Sequence, residues 1–376
     1  MYYEFVAAGR IASASKPKLL KSALLGSLQS GNFRVGDRFP SEPELIARFG
    51  VSRATVREAI VSLEQDGWLK RLQGKGTFVN ERPKTHRTIA VVAPYLYASD
   101  SPDFRAGADV IPLLMQSLEH HARQWGASLS LYLDNMDVAT ERENLQSVIE
   151  RELDGVLIVY IGGRANLDCL RKLRSAGIPL VLIDRYVEEI SADAVATDNR
   201  LGAYEATLRF LELGLPTVDY ITCPIDSTTL RDRLQGYMAA MNGRGLEPRV
   251  HELEQEVGDG TDPHNYERTH ALVRQIRFPT ALFASDATRL ALVANIVDEL
   301  GVPRGGYALG CFDEPYLNAP EGVLLLRVLQ PLRDIGRKAV ELTLSRIEGK
   351  ADPPVRLLLP PEILVTGAPT QASAGS

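Results

Sequence analysis

From residue 88 onward the chain alternates short apolar runs with longer amphipathic ones, and few folds can accommodate such a pattern. "TIAVVAP" (88–94), "SLSLYL" (128–133), "GVLIVY" (155–160), "PLVLID" (179–184) and "DAVATD" read as strands. "VDYIT" (218–222), "RVHELE" (249–254), "ALFAS" (281–285), "YALGCF" (307–312) and "VLLLRV" (323–328) continue the series. Helical periodicity fills the gaps near 105–126, 139–152, 165–176, 199–213, 229–242, 263–277 and 287–300, and again at 331–348. Apolar strand cores alternating with amphipathic helices imply parallel sheets covered on both faces. So many would make one very wide sheet, so the pattern predicts two doubly wound lobes with a cleft between them over residues 88–366.

Residues 1–86 are different. They carry 14 Lys and Arg against 8 Asp and Glu, whereas the rest of the 376-residue chain carries 28 against 40. A small basic head on a large acidic body points to a nucleic-acid partner for the head alone. Leu20, Leu24 and Leu28 recur at helical spacing before Gly31. "PSEPEL" (40–45) opens a second helix, with Ser41 and Glu44 at capping-box spacing and Pro43 in the first turn. Gly50 closes that helix, Ser52 caps a third, and Gly67 ends it. "WLKRLQGKGTFV" (68–79) reads as a β-hairpin. Three helices and a hairpin over 16–80 make a winged helix-turn-helix. Residues 81–87 form a polar linker, and 1–15 and 367–376 are expected to be flexible tails.

In the third helix Val56, Ile60 and Leu63 share one face, and Arg53 and Arg57 share another. A major groove about 12 Å wide admits such a helix, and arginine donates to guanine N7 and O6. Ala54 and Thr55 are small enough for close approach and for contact with a thymine methyl. Lys75, between Gly74 and Gly76, suits a phosphate or the minor groove. Taken alone, Arg53 and Arg57 read more readily as a solvated helix face, the commoner fate of a charged pair. Their context points to DNA: "PSEPELIARFGVSRATVREAIVSLEQDGWLKRLQGKGTFV" closely resembles the winged-helix domain of the GntR family of bacterial transcription regulators. The resemblance places Ser52, Arg53, Thr55 and Arg57 on the DNA-reading helix and Gly74 at the wing tip. Pro43 stands where the family commonly has an arginine, so one usual DNA contact is missing. Arg38 and Arg48 are alternative phosphate contacts, or plain surface charge.

In the body, "ELDGVLIVY", "GIPLVLIDR", "VATDNRLGAYEATLRFLELG", "RDRLQGYMAAM", "TALFASDATRLALVANIVDELGVP", "YALGCFDEP" and "LQPLRDIGRKAVELTLSRIEG" follow the order found in LacI/GalR-type sensor domains. These are similar to periplasmic sugar-binding proteins. Head and body together resemble the arabinose-repressor type of GntR–LacI chimera. The implied fold is α/β, a winged helix-turn-helix followed by a two-lobed, doubly wound, periplasmic-binding-protein-like domain. By the same resemblance the helix at "DVIPLLMQSLE" (109–119) starts beside the effector, Arg233 matches the sugar-contacting arginine, and Asp313 matches the effector aspartate. Ser285 and Asp286 stand where an Asn-Asp pair is usual, which departs from a standard effector site. Asp184 and Arg185 follow a buried strand; they line the cleft, or Asp184 caps the strand end and pairs with Arg185. Tyr95, Tyr97, Asp103 and Phe104, after the first strand, are candidate stacking and polar groups. Arg and Asp offer planar partners to sugar hydroxyls, and aromatic rings offer apolar faces to sugar rings. Phe312 and Tyr237 read as core.

No phosphate loop, G-x-S-x-G elbow or H-E-x-x-H pair occurs. His120 and His121 are adjacent, so a helix points them about 100° apart, and His264 and His270 are six apart. No metal, cofactor or catalytic residue is therefore expected. Cys169, Cys223 and Cys311 fit neither a disulfide framework nor a metal pair, and no apolar run approaches the roughly 20 residues of a membrane span. The expectation is a cytoplasmic, ligand-responsive DNA-binding regulator, a repressor controlled by a sugar or related metabolite. Its partners would be double-stranded operator DNA, the effector and a second copy in a homodimer, because operators for helix-turn-helix proteins are usually two-fold. The alternatives are a cytoplasmic carbohydrate-binding protein and a DNA-tethered sugar enzyme.

Overall fold

A computed structural model describes residues 16–29, 33–65, 67–72, 75–80, 87–94, 110–151, 153–224, 227–253, 263–315, 320–350 and 353–367. The chain divides into two compact units, Met1–Arg87 and Thr88–Ser376.

The first unit holds α1 (Lys16–Gln29), α2 (Glu42–Phe49), α3 (Arg53–Gln65), β1 (Leu69–Leu72) and β2 (Gly76–Val79). Leu20, Leu24 and Leu28 of α1 are buried with Leu45 of α2 and Val56, Ile60 and Leu63 of α3, in one core closed by Trp68. The expected caps form. Glu44 accepts both the N–H and the hydroxyl of Ser41 at 2.7 Å, and Gly50 ends α2 at φ 63°. The Ser52 hydroxyl accepts the Thr55 N–H at 3.2 Å, satisfying one of the otherwise unpaired donors at the start of α3. β1 and β2 pair antiparallel, with Leu69 opposite Val79 and Leu72 opposite Gly76.

Among the described residues the second unit has two six-stranded sheets. The first lobe has β3 (Arg87–Ala93), β4 (Ala127–Leu133), β5 (Gly155–Ile158), β6 (Leu180–Ile183), β7 (Asp193–Thr197) and β13 (Arg356–Leu359), in the order β13-β7-β6-β5-β3-β4. α4 (Val110–Gln124), α5 (Val138–Glu150), α6 (Leu167–Ser175) and α11 (Leu332–Ile347) cover it. The second lobe has β8 (Val218–Thr222), β9 (Arg249–Glu252), β10 (Thr280–Ala284), β11 (Tyr307–Phe312), β12 (Leu324–Leu329) and β14 (Glu362–Thr366), in the order β14-β12-β11-β10-β8-β9. Its helices are α7 (Asn199–Glu212), α8 (Thr228–Gly243), α9 (Pro263–Val273) and α10 (Ala287–Glu299).

Burial on both faces accounts for the continuous apolar runs. Along β3, Ile89, Val91 and Ala93 enter the core under α4 and α11, while Ala90 and Val92 enter the opposite one under α5 and α6. β10 repeats this in the second lobe: Leu282 and Ala284 face one core, Ala281 and Phe283 the other. Each fully buried aliphatic or aromatic side chain is worth about 1.5–3 kcal/mol relative to exposure.

Among the described residues the chain crosses between lobes at Asp198, at Gln330–Pro331 and at Pro360–Pro361. The last crossing separates β13 and β14, which carry no signal in the alternating pattern. β13 adds parallel to β7 and β14 antiparallel to β12, so each completes the sheet of a different lobe. Asp198 caps α7 by accepting the Leu201 N–H at 2.9 Å, and its own N–H donates to Leu359 O at 2.7 Å, so the first and third crossings are hydrogen-bonded together.

Candidate functional site

In the body, those expected cleft side chains that fall among the described residues lie where strands of the two sheets give way to loops and helices. Arg233, on α8, is only 3 % exposed. Its Nε donates to Asn199 Oδ1 at 2.7 Å and its Nη1 to the Ser285 carbonyl at 2.6 Å. The guanidinium carbon stands 3.8 Å from the centroid of the Phe312 ring. Phe312 is thus core, as its sequence setting implies, and one face of its ring also supports a cation. Asp313, the next residue, accepts from Gln330 Nε2 at 2.8 Å. Burial pushes its carboxyl above the usual range, while the Arg233 charge pulls in the opposite direction.

Gln330 was not evident from the sequence. It sits at the second crossing, and its Oε1 accepts from the Thr197 hydroxyl at 2.7 Å, so one amide joins the end of first-lobe β7 to the second-lobe aspartate. Asn199 is similar: its Nδ2 donates to Thr197 O at 3.2 Å while its Oδ1 holds Arg233. The available signal was a polar amide directly after an apolar strand, a position where a side chain reaches the end of the sheet.

Ser285 and Asp286 turn inward upon themselves. The Ser285 hydroxyl donates to Asp286 Oδ2 at 3.0 Å. Asp286 caps α10 through the Arg289 N–H at 3.0 Å and pairs with the Arg289 guanidinium. Arg185 lies against Asp184 at 3.3 Å, so the pairing given as one of the two alternatives is present, and both side chains remain partly exposed. Asp134, at the end of β4, is 1 % exposed; one carboxylate oxygen accepts the Met136 N–H at 3.0 Å and the other has no hydrogen-bond partner among the described residues. Burial raises its pKa to about 6, with the Arg185 charge acting in the opposite sense. Tyr95, Tyr97, Asp103 and Phe104 lie outside the described residues, as does residue 109, the expected helix start; α4 is described from Val110.

In the head, Ser52, Arg53, Ala54 and Arg57 are exposed and Thr55 half-buried. Arg53, with 80 % of its side chain exposed, is held by Glu42 of α2 through an Nε to Oε2 contact of 3.1 Å. Glu42 was not singled out from the sequence; its place beside Arg53 arises from how α2 crosses α3. Arg38 belongs with the hairpin: it bridges to Phe78, and its guanidinium lies over Gly76. Lys75 is exposed at the turn, its N–H donating to Leu72 O at 3.0 Å, and Arg48 lies over the Phe49 ring. Gly74 lies outside the described residues. Among the described residues no group of three or more His, Cys, Asp or Glu could hold a metal, the three cysteines are buried and not joined by a disulfide, and no helix is long and apolar enough to cross a membrane.

A basic winged helix-turn-helix joined to a two-lobed ligand clamp defines the class: a ligand-controlled DNA-binding transcription regulator. Residues 19–79 match the bacterial regulatory proteins of the gntR family, and residues 98–351 match the periplasmic binding protein domain. The chain belongs to the periplasmic binding protein domain family through its body, carries a GntR-family head, and so has the arabinose-repressor type of GntR–LacI architecture. It is 27 % identical over 358 residues to the arabinose metabolism transcriptional repressor of Geobacillus stearothermophilus, covering 92 % of this chain and 95 % of that one. Among solved structures, a LacI transcriptional regulator from Lactobacillus brevis superposes with TM-score 0.60 at 19 % identity, covering 74 % of this chain and 100 % of that one. A LacI family regulator from Enterococcus faecium with bound ribose superposes with TM-score 0.58, also at 19 % identity, covering 75 % and 99 %. These two likenesses concern the fold.

Proposed function

We propose that the chain is a cytoplasmic repressor whose operator binding is set by a sugar or sugar derivative held between the lobes. The observation that carries this reading is the cluster of Arg233, Asp313 and Gln330 against the Phe312 ring. It presents planar donors and acceptors, with the Arg233 guanidinium held flat on the buried Phe312 ring, and such groups suit a ring bearing several hydroxyls. Asp184 and Arg185 supply the first-lobe partners, with Asp134, Ser285 and Asp286 close to the same strand ends. The naming of relatives as arabinose and ribose operon repressors supports a pentose-like effector.

In the head, Arg53, Arg57, Ser52, Ala54 and Thr55 read base edges, and Arg38, Arg48, Gly74 and Lys75 contact the sugar-phosphate backbone. The working unit is a homodimer on a two-fold operator. Exposed Leu131 and Leu133 on edge strand β4, with exposed Leu113 on α4, give the first lobe an apolar surface suited to a second copy.

The test is a thermal-shift panel of pentoses, hexoses, uronic acids and their phosphates on the full chain. A positive sugar is then titrated into a complex with operator duplex selected from a random pool, and sedimentation measures the stoichiometry. A sugar that raises the melting temperature and shifts operator affinity supports the reading. Sugar binding without DNA binding would leave a carbohydrate-binding protein, and turnover of the sugar would indicate an enzyme.

A further inference from the structure

The two halves of the proposed effector site come from different lobes, and one side of the clamp is laced across by polar contacts. After β6 the segment Asp184–Glu188 meets the first two turns of α8, the helix that carries Arg233. The Thr229 hydroxyl donates to the Asp184 carbonyl at 3.1 Å. The Thr228 hydroxyl engages Tyr186 twice, accepting its N–H and donating to its carbonyl, both at 3.1 Å. The Tyr186 phenol donates to Asp232 Oδ2 at 2.7 Å. Arg231 spans the outside, donating to the two Glu188 carboxylate oxygens at 3.2 and 3.1 Å. The Arg356 guanidinium, from first-lobe β13, lies 3.7 Å from the Tyr186 ring centroid.

We infer that Tyr186 is a positioning residue of the effector site: by tying its own segment to α8 it holds Asp184 and Arg185 against the helix bearing Arg233 before any effector arrives. The inference rests on the cleft being the effector site, and it goes beyond that reading by assigning the assembly of the site to residues outside it. Arg185 immediately precedes Tyr186, and Arg233 immediately follows Asp232, so the phenol–carboxylate bond lies one residue from each of the guanidinium groups it aligns. Clamping two lobes around a small ligand costs ordering of both walls, and a contact that orders them in the free protein removes part of that cost from the binding step. Tyr186 is suited to this work. Burial, and then its bond to Asp232, push the phenol pKa up, so it stays a donor. Its ring is gripped by Arg356 independently of the hydroxyl, so removing the hydroxyl leaves the packing in place.

Hydrogen exchange read by mass spectrometry on the effector-free full chain tests this with Y186F, D232A, D232N and the Y186F/D232A double variant. The expected result is a rise in exchange of at least fivefold at both 184–190 and 227–234 in Y186F and D232A. The double variant should go no further, and D232N should resemble the parent, because its amide oxygen still accepts the phenol proton. Unchanged exchange, loss of protection confined to 184–190, or a D232N profile equal to that of D232A would overturn the inference. For any sugar that binds the parent, Y186F should weaken the affinity about tenfold while D232N stays close to the parent. If no sugar binds, the effector reading fails while the exchange pattern still decides whether the lobes are tied at Tyr186.

Discussion

Asp184 and Asp313 occupy matching places in the two lobes. Each follows a central strand, β6 or β11; each has a left-handed backbone, φ 69° and 70°. Each donates its N–H at 3.0 Å to a carbonyl of the neighbouring strand, that of Val195 or Val328. Non-glycine residues at such φ are uncommon, and Asp and Asn tolerate it best because the short polar side chain bonds locally. The fold thus directs a carboxylate from the end of each central strand, and the electrostatic influence of Asp184 extends to Asp313.

Asp313→Asn keeps the left-handed residue type and removes a charge that burial disfavours. The variant is expected to melt at or slightly above the parent temperature in scanning calorimetry. Titration calorimetry should show sugar affinity reduced ten- to a hundredfold, the usual worth of a hydrogen bond to a charged group.

Arg233→Ala strips the ring of Phe312 and leaves the Ser285 carbonyl and Asn199 Oδ1 without their donor in a buried setting. A loss of about 3 kcal/mol in urea unfolding is expected, together with loss of sugar binding. Lysine should restore less than half of the stability, because one ammonium cannot span both acceptors and also lie flat on the ring.

Two glycines of α8 form a matched pair. A Cβ on Gly236 would stand 2.1 Å from the Arg200 carbonyl oxygen of α7, whereas one on Gly243 meets nothing within 4 Å. Gly236→Ala is expected to cost about 3 kcal/mol or more by forcing two packed helices apart. Gly243→Ala should be neutral or gain up to about 1 kcal/mol from helix propensity. Denaturant midpoints of the two variants check both.

Asp134 sets a pH dependence. Its pKa in the folded chain is about 6, above the ordinary 3.8, because burial disfavours the charged form. Between these values the folded state holds more protons than the unfolded one, so this carboxyl's contribution to stability falls as pH rises from about 4 to 6 and levels off above. Asp134→Asn should therefore stabilise the chain at pH 7–8, by up to about 3 kcal/mol, with the advantage vanishing near pH 4. Melting curves of both proteins from pH 4 to 8 measure the difference.

Arg53 and Arg57 test the head. Replacing both by alanine should abolish binding to a selected operator duplex and flatten its salt dependence. Because both side chains are exposed, the melting temperature should stay within a degree or two. Sugar-induced stabilisation of the body should persist, and its loss together with DNA binding would contradict a division of labour between head and body.

Local chemistry by itself determined the elements. Ser41, Gly50 and Ser52 mark where α2 begins and ends and where α3 begins, because an unpaired backbone group needs a cap wherever the helix sits. The central strands announced themselves because burial on both faces favours apolar residues at both parities. Arg233 and Asp313 were legible through the resemblance that their surrounding motifs carry. Tertiary structure alone decided what meets across long sequence separations. Gln330 reaches Thr197 and Asp313, Tyr186 reaches Asp232, and Glu42 reaches Arg53, because chain crossings and helix packing bring them together, and no local propensity encodes those contacts. The same holds for β13 and β14. Each is a short edge strand whose partner, β7 or β12, lies far back in the chain, so only the completed sheets supply the hydrogen bonds that make them strands.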